Sequence, residues 1–185
     1  RKAMESVLNP MDSEKPLFLF VNIYDAHDPY PKIPDGHPWL PKRPIFRMNS
    51  TAKDPGNPMF RYLKGMMNTE ESGKYLAALV DTYDNGISHA DRNVGEVLMG
   101  LRAGGWLDGS YRILVTTDHG EYLGEHQMLR HGCYVHQEVT GGFLVYQDTS
   151  RSEAPVLPSP LSLIDSFYLA RDGVLPPTVT MPQAV

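Results

Sequence analysis

At 185 residues the chain is about one domain long and can bury a real core. Hydrophobic residues make up 41%, charged residues 21%, and the formal net charge is −5, an ordinary globular balance with no basic patch to argue for nucleic acid. The longest apolar run, residues 17–21 with Ile23 beyond it, is too short to span a bilayer, and the single Cys133 excludes an internal disulfide and a cysteine-rich zinc site. The sequence opens on Arg1 rather than Met, so a start further upstream is expected and any targeting segment is not legible.

In chain order, residues 1–16 read as the tail of a helix and a turn ending at Pro16. Residues 17–22 are apolar enough for a buried strand, and Tyr24, Asp25, Ala26, His27, Asp28, Pro29 and Tyr30 stand at its end. From 31 to 68 the chain is rich in Pro, Gly and polar residues, which predicts a long irregular insertion loop. Its Trp39, Lys42, Arg43, Phe46, Arg47, Phe60 and Arg61 could line a substrate entrance or simply anchor a surface loop. Residues 70–102 then read as one long helix. Leu76, Val80, Tyr83, Ile87, Val94 and Leu98 recur every three or four residues and predict a stripe packed on a sheet. Asp91 lies near that stripe, where an acid is costly unless paired, and is read as structural. Gly104 and Gly105 supply a stop.

Residues 112–117 are apolar and mostly β-branched, and predict a buried parallel strand. A third strand is expected at 143–146 and a second helix at 161–170. Alternation of helix and strand argues an α/β domain with a largely parallel sheet, in which strands 17–22 and 112–117 lie side by side with their C-terminal ends on one edge.

The strongest chemical signal follows 112–117. The strand stops at Asp118, His119, Gly120 and Glu121, beyond the carboxyl end where open α/β sheets bind ligands. Asp118 and His119 offer an oxygen and a nitrogen suited to a divalent cation, and Gly120 permits a sharp turn or close approach. Glu125, His126, His131 and His136 follow, with His27 at the end of the other strand. A loop so rich in titratable groups is poor core material and suits a pocket holding an oxyanion beside a metal. Glu121, Glu125, His126 and His136 are read as structural or as supports that orient the ligating imidazoles. Cys133, between His131 and His136, raises a Cys/His nucleophile as a rival, but no nucleophile elbow accompanies it, and an inert thiol is the reading adopted.

These residues together resemble the sulfatases of the alkaline phosphatase superfamily. The likeness rests on residues 21–30, on Tyr83, Asp91, Val94 and Gly95 in the helix, on residues 117–126 with Arg130, His131 and Gly132, and on residues 161–165 followed by Gly173 and Pro176. It implies an alkaline phosphatase-like sandwich with a largely parallel central sheet flanked by helices. Residues 1–185 would be the C-terminal part of that catalytic domain, with 31–68 as an insertion within it. It further implies Asp118 and His119 as metal ligands, usually for calcium, and His27 and His131 as catalytic residues that bind the sulfate ester, His131 at the sulfate or leaving oxygen. The substrate would be a sulfated small molecule or carbohydrate.

Family members attack sulfur with a formylglycine hydrate made within a Cys/Ser-x-Pro-x-Arg motif, helped by the Lewis acidity of the bound cation. No such motif occurs in this sequence, and no paired acids follow an opening strand. The nucleophile is therefore expected upstream, in an N-terminal half that would complete the domain, and the isolated chain is expected to be inactive. A phosphoester hydrolase or phosphoethanolamine-type transferase of the same superfamily, with zinc or manganese, is the alternative within enzymes. A degenerate, non-catalytic module is the alternative outside them.

Overall fold

The computed structural model describes residues 15–38, 40, 56–153 and 160–175. The expectations for 1–14, for residues 39 and 41–55 of the 31–68 loop, including Trp39, Lys42, Arg43, Phe46 and Arg47, and for Pro176 lie outside them. The described chain is a mixed α/β structure. Its elements are α1 (Pro58–Leu63), α2 (Thr69–Ala103), β1 (Arg112–Thr116), β2 (Tyr122–Leu123), β3 (Leu129–Arg130), α3 (Gln137–Thr140), β4 (Leu144–Asp148) and α4 (Leu163–Asp172). No helix among the described residues is long and apolar enough to cross a membrane.

Local chemistry explains the helix ends. Asn57 accepts from the Met59 N–H and Pro58 occupies the first turn of α1, where its missing N–H costs nothing. Part of the expected irregular loop is thus helical. The Asn68 side chain accepts from the Glu71 N–H at 2.9 Å while Glu71 accepts from the Asn68 N–H at 3.1 Å, a reciprocal box that starts α2. Ser162 and Asp165 repeat the device at α4.

The long helix forms where expected, but its buried line is shifted. Tyr75, Ala78, Leu79, Asn85 and Gly86 are buried, whereas Val80 and Ile87 are exposed. Asp91 is exposed as well. The reason is what α2 packs against: β2 and the 25–31 segment cover it rather than the face of a broad sheet. At Gly86 the two backbones nearly touch. A Cβ there would sit 2.5 Å from the Asp25 carbonyl oxygen and 3.2 Å from the Ala26 Cα. Gly86→Ala is therefore expected to destabilise by about 1–3 kcal/mol, the usual cost of overpacking. Urea unfolding should show a lowered midpoint at unchanged slope.

The expected parallel sheet is not seen among the described residues. β1 pairs β4 antiparallel, with Arg112 opposite Asp148 and Thr116 opposite Leu144, and β2 pairs β3 antiparallel. The 117–143 excursion explains the direction. It opens and closes at one point, where the Thr117 N–H donates to the Phe143 carbonyl and the Phe143 N–H donates to Thr117 Oγ1, both at 3.3 Å. A loop pinched at its base returns the chain alongside itself, whereas a parallel partner needs a crossover.

Residues 17–22 are in no ladder among the described residues, and Phe18 and Phe20 are 83% and 79% exposed. Apolar composition marks a segment able to join a sheet but cannot supply the neighbour that pairs its backbone. α4 packs on β1 through the almost fully buried Leu169. The Arg112 guanidinium ties the layers together, donating to Asp148 Oδ2 and to the Arg171 carbonyl, both at 3.0 Å.

Candidate functional site

β1 delivers Asp118 and His119 at the pinched base of the loop. His119 Nδ1 lies 2.8 Å from the Gly120 carbonyl, an oxygen that can only accept, so Nδ1 carries a hydrogen and Nε2 is the ring nitrogen left for a ligand. That Nε2 is 3.8 Å from Asp118 Oδ2. Two electron-rich atoms this close repel unless a proton or cation joins them. The Asp118 side chain is 87% exposed, so its carboxylate is open to an ion from solvent. One oxygen and one nitrogen fit part of a cation site, since calcium takes six to eight oxygens. Gly120 is required by packing: a Cβ there would collide with the Glu138 carbonyl, and its N–H donates to the Val139 carbonyl at 2.7 Å.

His131 stands against His119, with ring centroids 4.1 Å apart, and His27 reaches His131 at 5.4 Å. His131 thus stands between His27 and His119, and His119 in turn lies beside Asp118. The Nδ1 of His27 is 2.6 Å from the Asp28 carbonyl and that of His131 is 2.9 Å from Glu121 Oε1. All three imidazoles thus turn Nδ1–H toward protein acceptors and leave Nε2 for a ligand. A cleft of about 460 Å³ opens beside them, lined by His119, His131, Tyr134, Val135 and the exposed Cys133, a volume within the small-molecule range.

Glu121 joins the halves of this site. Its side chain is only 7% exposed. One oxygen accepts from His131 and the other accepts from the Tyr30 hydroxyl at 2.8 Å. Burial, and then the charge of Glu121, hold the Tyr30 phenol well above its ordinary value. Tyr30 packs edge-on against Tyr83 of α2, at 5.7 Å between centroids. The segment carrying His27 is fastened at three more points. Asn93 donates to Asp25 at 2.7 Å, Asn85 to the Pro31 carbonyl at 2.8 Å, and Arg130 to Asp28 at 2.6 Å.

The supporting residues divide. Glu125 accepts from the Leu123 N–H at 2.7 Å and shapes the turn after β2. His126 and His136 lie apart from the imidazoles above and gather with Glu138. Backbone hydrogen bonding, then His126, keep the Glu138 carboxyl below its usual range. Tyr30 has no role of its own in the sequence reading of residues 21–30, and Glu138 is not singled out there; only the folded loop brings Tyr30 to Glu121 and Glu138 to His126. Comparison of the chain with protein-family models, with curated proteins and with solved structures gives no match.

Proposed function

We propose that the protein is a metal-dependent sulfuric ester hydrolase of the sulfatase type, to which this chain contributes the cation donors Asp118 and His119 and the substrate-binding His27 and His131. The observation that carries this reading is the gathering of His27, His119 and His131, each with Nδ1 engaged by a protein acceptor and Nε2 left over. When bound, the cation would supply Lewis-acid stabilisation of charge on the ester oxygens. His27 would orient the sulfate. His131, held at Nδ1 by Glu121, is placed in its doubly protonated, imidazolium form to give the Nε2 proton to the leaving oxygen and return to the neutral Nδ1–H tautomer. In this proposal the nucleophile, a formylglycine, comes from residues outside the sequence. The 17–22 segment then finds its strand neighbour in an alkaline phosphatase-like sandwich whose central sheet is largely parallel. The exposed Phe18 and Phe20 are consistent with a surface awaiting such cover.

The test is an assay of the complete protein on an aryl sulfate and the matching aryl phosphate, with calcium, zinc or manganese supplied in turn. Calcium-supported cleavage of the sulfate is expected. Preference for the phosphate with zinc or manganese would transfer the assignment to the phosphoester branch, and turnover of neither would favour a non-catalytic module.

A further inference from the structure

Among the described residues, one group of three metal-binding side chains draws together: His126, His136 and Glu138 each offer a donor atom, all within 4.8 Å of one another. We propose that these three residues form a site for a zinc-type transition metal that clamps the 117–143 loop. The proposal is independent of the Asp118 and His119 donors and of the hydrolase reading.

Two imidazole nitrogens and one carboxylate oxygen are a donor set that zinc takes with a fourth position left to water. The His136 ring is held as ligating histidines are held. His136 Nδ1 sits 2.7 Å from the Tyr122 hydroxyl, which also receives the His136 backbone N–H at 3.3 Å. Tyr122 is 1% exposed and cannot swing away. With the Tyr122 oxygen accepting from Nδ1–H, this outer partner fixes the ring and Nε2 becomes the ligand atom.

His126 reaches the group from a turn in which it and Gln127 adopt φ of 54° and 57°, a region that side-chain-bearing residues rarely occupy. That turn sets the His126 ring 4.3 Å from His136, with 32° between planes, and puts His126 Nε2 3.3 Å from Glu138 Oε1. Tyr134 stacks on His136 at 5.8 Å and 12°. An ion pair between His126 and Glu138 explains one edge of this triangle. It does not explain a second imidazole tilted against the first at 4.3 Å. The side chains of His126 and Glu138 are 47% and 33% exposed, so an ion can enter, and modest rotation brings the donors to the roughly 3.3 Å separation set by zinc bonds of about 2.0–2.1 Å. A metal there joins the turn after β2 to α3 and braces the loop that carries His131.

The test is titration of the metal-stripped complete protein with cobalt(II), read by visible absorption, and with zinc, read by calorimetry and thermal melting, in excess calcium. One equivalent of cobalt with visible bands, displaced by zinc, is expected, together with a melting temperature that rises with zinc. His126→Asn, which tolerates the left-handed backbone, and Glu138→Gln should each weaken binding by about tenfold or more. Asp118→Asn should leave it unchanged. The proposal is overturned if zinc changes neither absorption nor melting, if binding survives both His126→Asn and Glu138→Gln, or if it is lost with Asp118→Asn. Should His126→Asn fail to fold by circular dichroism, Glu138→Gln, in the regular helical backbone of α3, decides alone.

Discussion

Asp118→Ala in the complete protein is expected to lose calcium binding and sulfate-ester hydrolysis together, the rate falling on the order of 10³-fold. That figure follows from about 4 kcal/mol of charge stabilisation at about 1.4 kcal/mol per tenfold. Fold stability should barely change, because the side chain is 87% exposed and makes only a local bond to the His119 N–H. Removing it leaves His119 Nε2 without the oxygen 3.8 Å away that completes the pair. His27→Ala is the contrast. Its ring touches His131 rather than the Asp118 carboxylate, so it should keep the cation and lose rate. Calcium calorimetry beside steady-state hydrolysis separates the two, and full activity in Asp118→Ala would rule out the metal assignment.

The nearness of the candidate residues His27, Asp118, His119 and His131 was more legible in the sequence than the sheet. Asp118 and His119 follow a β-branched run, and the end of such a run is a place where side chains emerge together whatever the strand's partners are. His27 follows a second apolar run for the same reason. Pairing direction is a different kind of information. It depends on the Thr117–Phe143 closure that sends β4 back along β1, and two strands of apolar residues look alike whether that closure exists or not. The shift of the buried line on α2 has the same origin. Periodicity locates an apolar face, but Asn85 and Gly86 are buried because the 25–31 backbone lies on them, and neither residue counts toward an apolar stripe.

Short-range chemistry was legible where it is self-contained. Glu70 to Arg102 as a helix needs only spacing and flanking glycines, and α2 runs one residue further at each end. The groups that lie between distant segments were not. Tyr30 and Glu121 are 91 positions apart and share a 2.8 Å hydrogen bond, which no local pattern encodes.

That hydrogen bond sets the second large effect. Glu121→Gln is expected to lower kcat/KM by about 10–100-fold, the usual cost of disturbing the outer partner of a site imidazole, while calcium binding and the fold are kept. The carboxylate accepts from two donors at once, His131 Nδ1–H and the Tyr30 hydroxyl. An amide has one accepting oxygen and one donating nitrogen. If the oxygen stays with Tyr30, the amide NH₂ faces His131 Nδ1, which can then no longer donate there, so the protonated ring that gives its Nε2 hydrogen to the leaving oxygen loses the carboxylate that supports it. If the oxygen turns to His131, the half-buried Tyr30 hydroxyl loses its acceptor. The Tyr30 phenol reports the change directly. Its ionisation is raised first by burial and next by Glu121, so in the variant it should move down yet stay above the ordinary 10.0. A phenol that resists ionisation when folded contributes stability below its ordinary pKa and loses it as the pH climbs beyond. Alkaline unfolding should thus remain in Glu121→Gln but with a shallower dependence on pH, and an ultraviolet tyrosinate titration against Tyr30→Phe isolates the group. Unchanged kcat/KM with an unchanged Tyr30 titration would show that Glu121 does not join the two halves of the site.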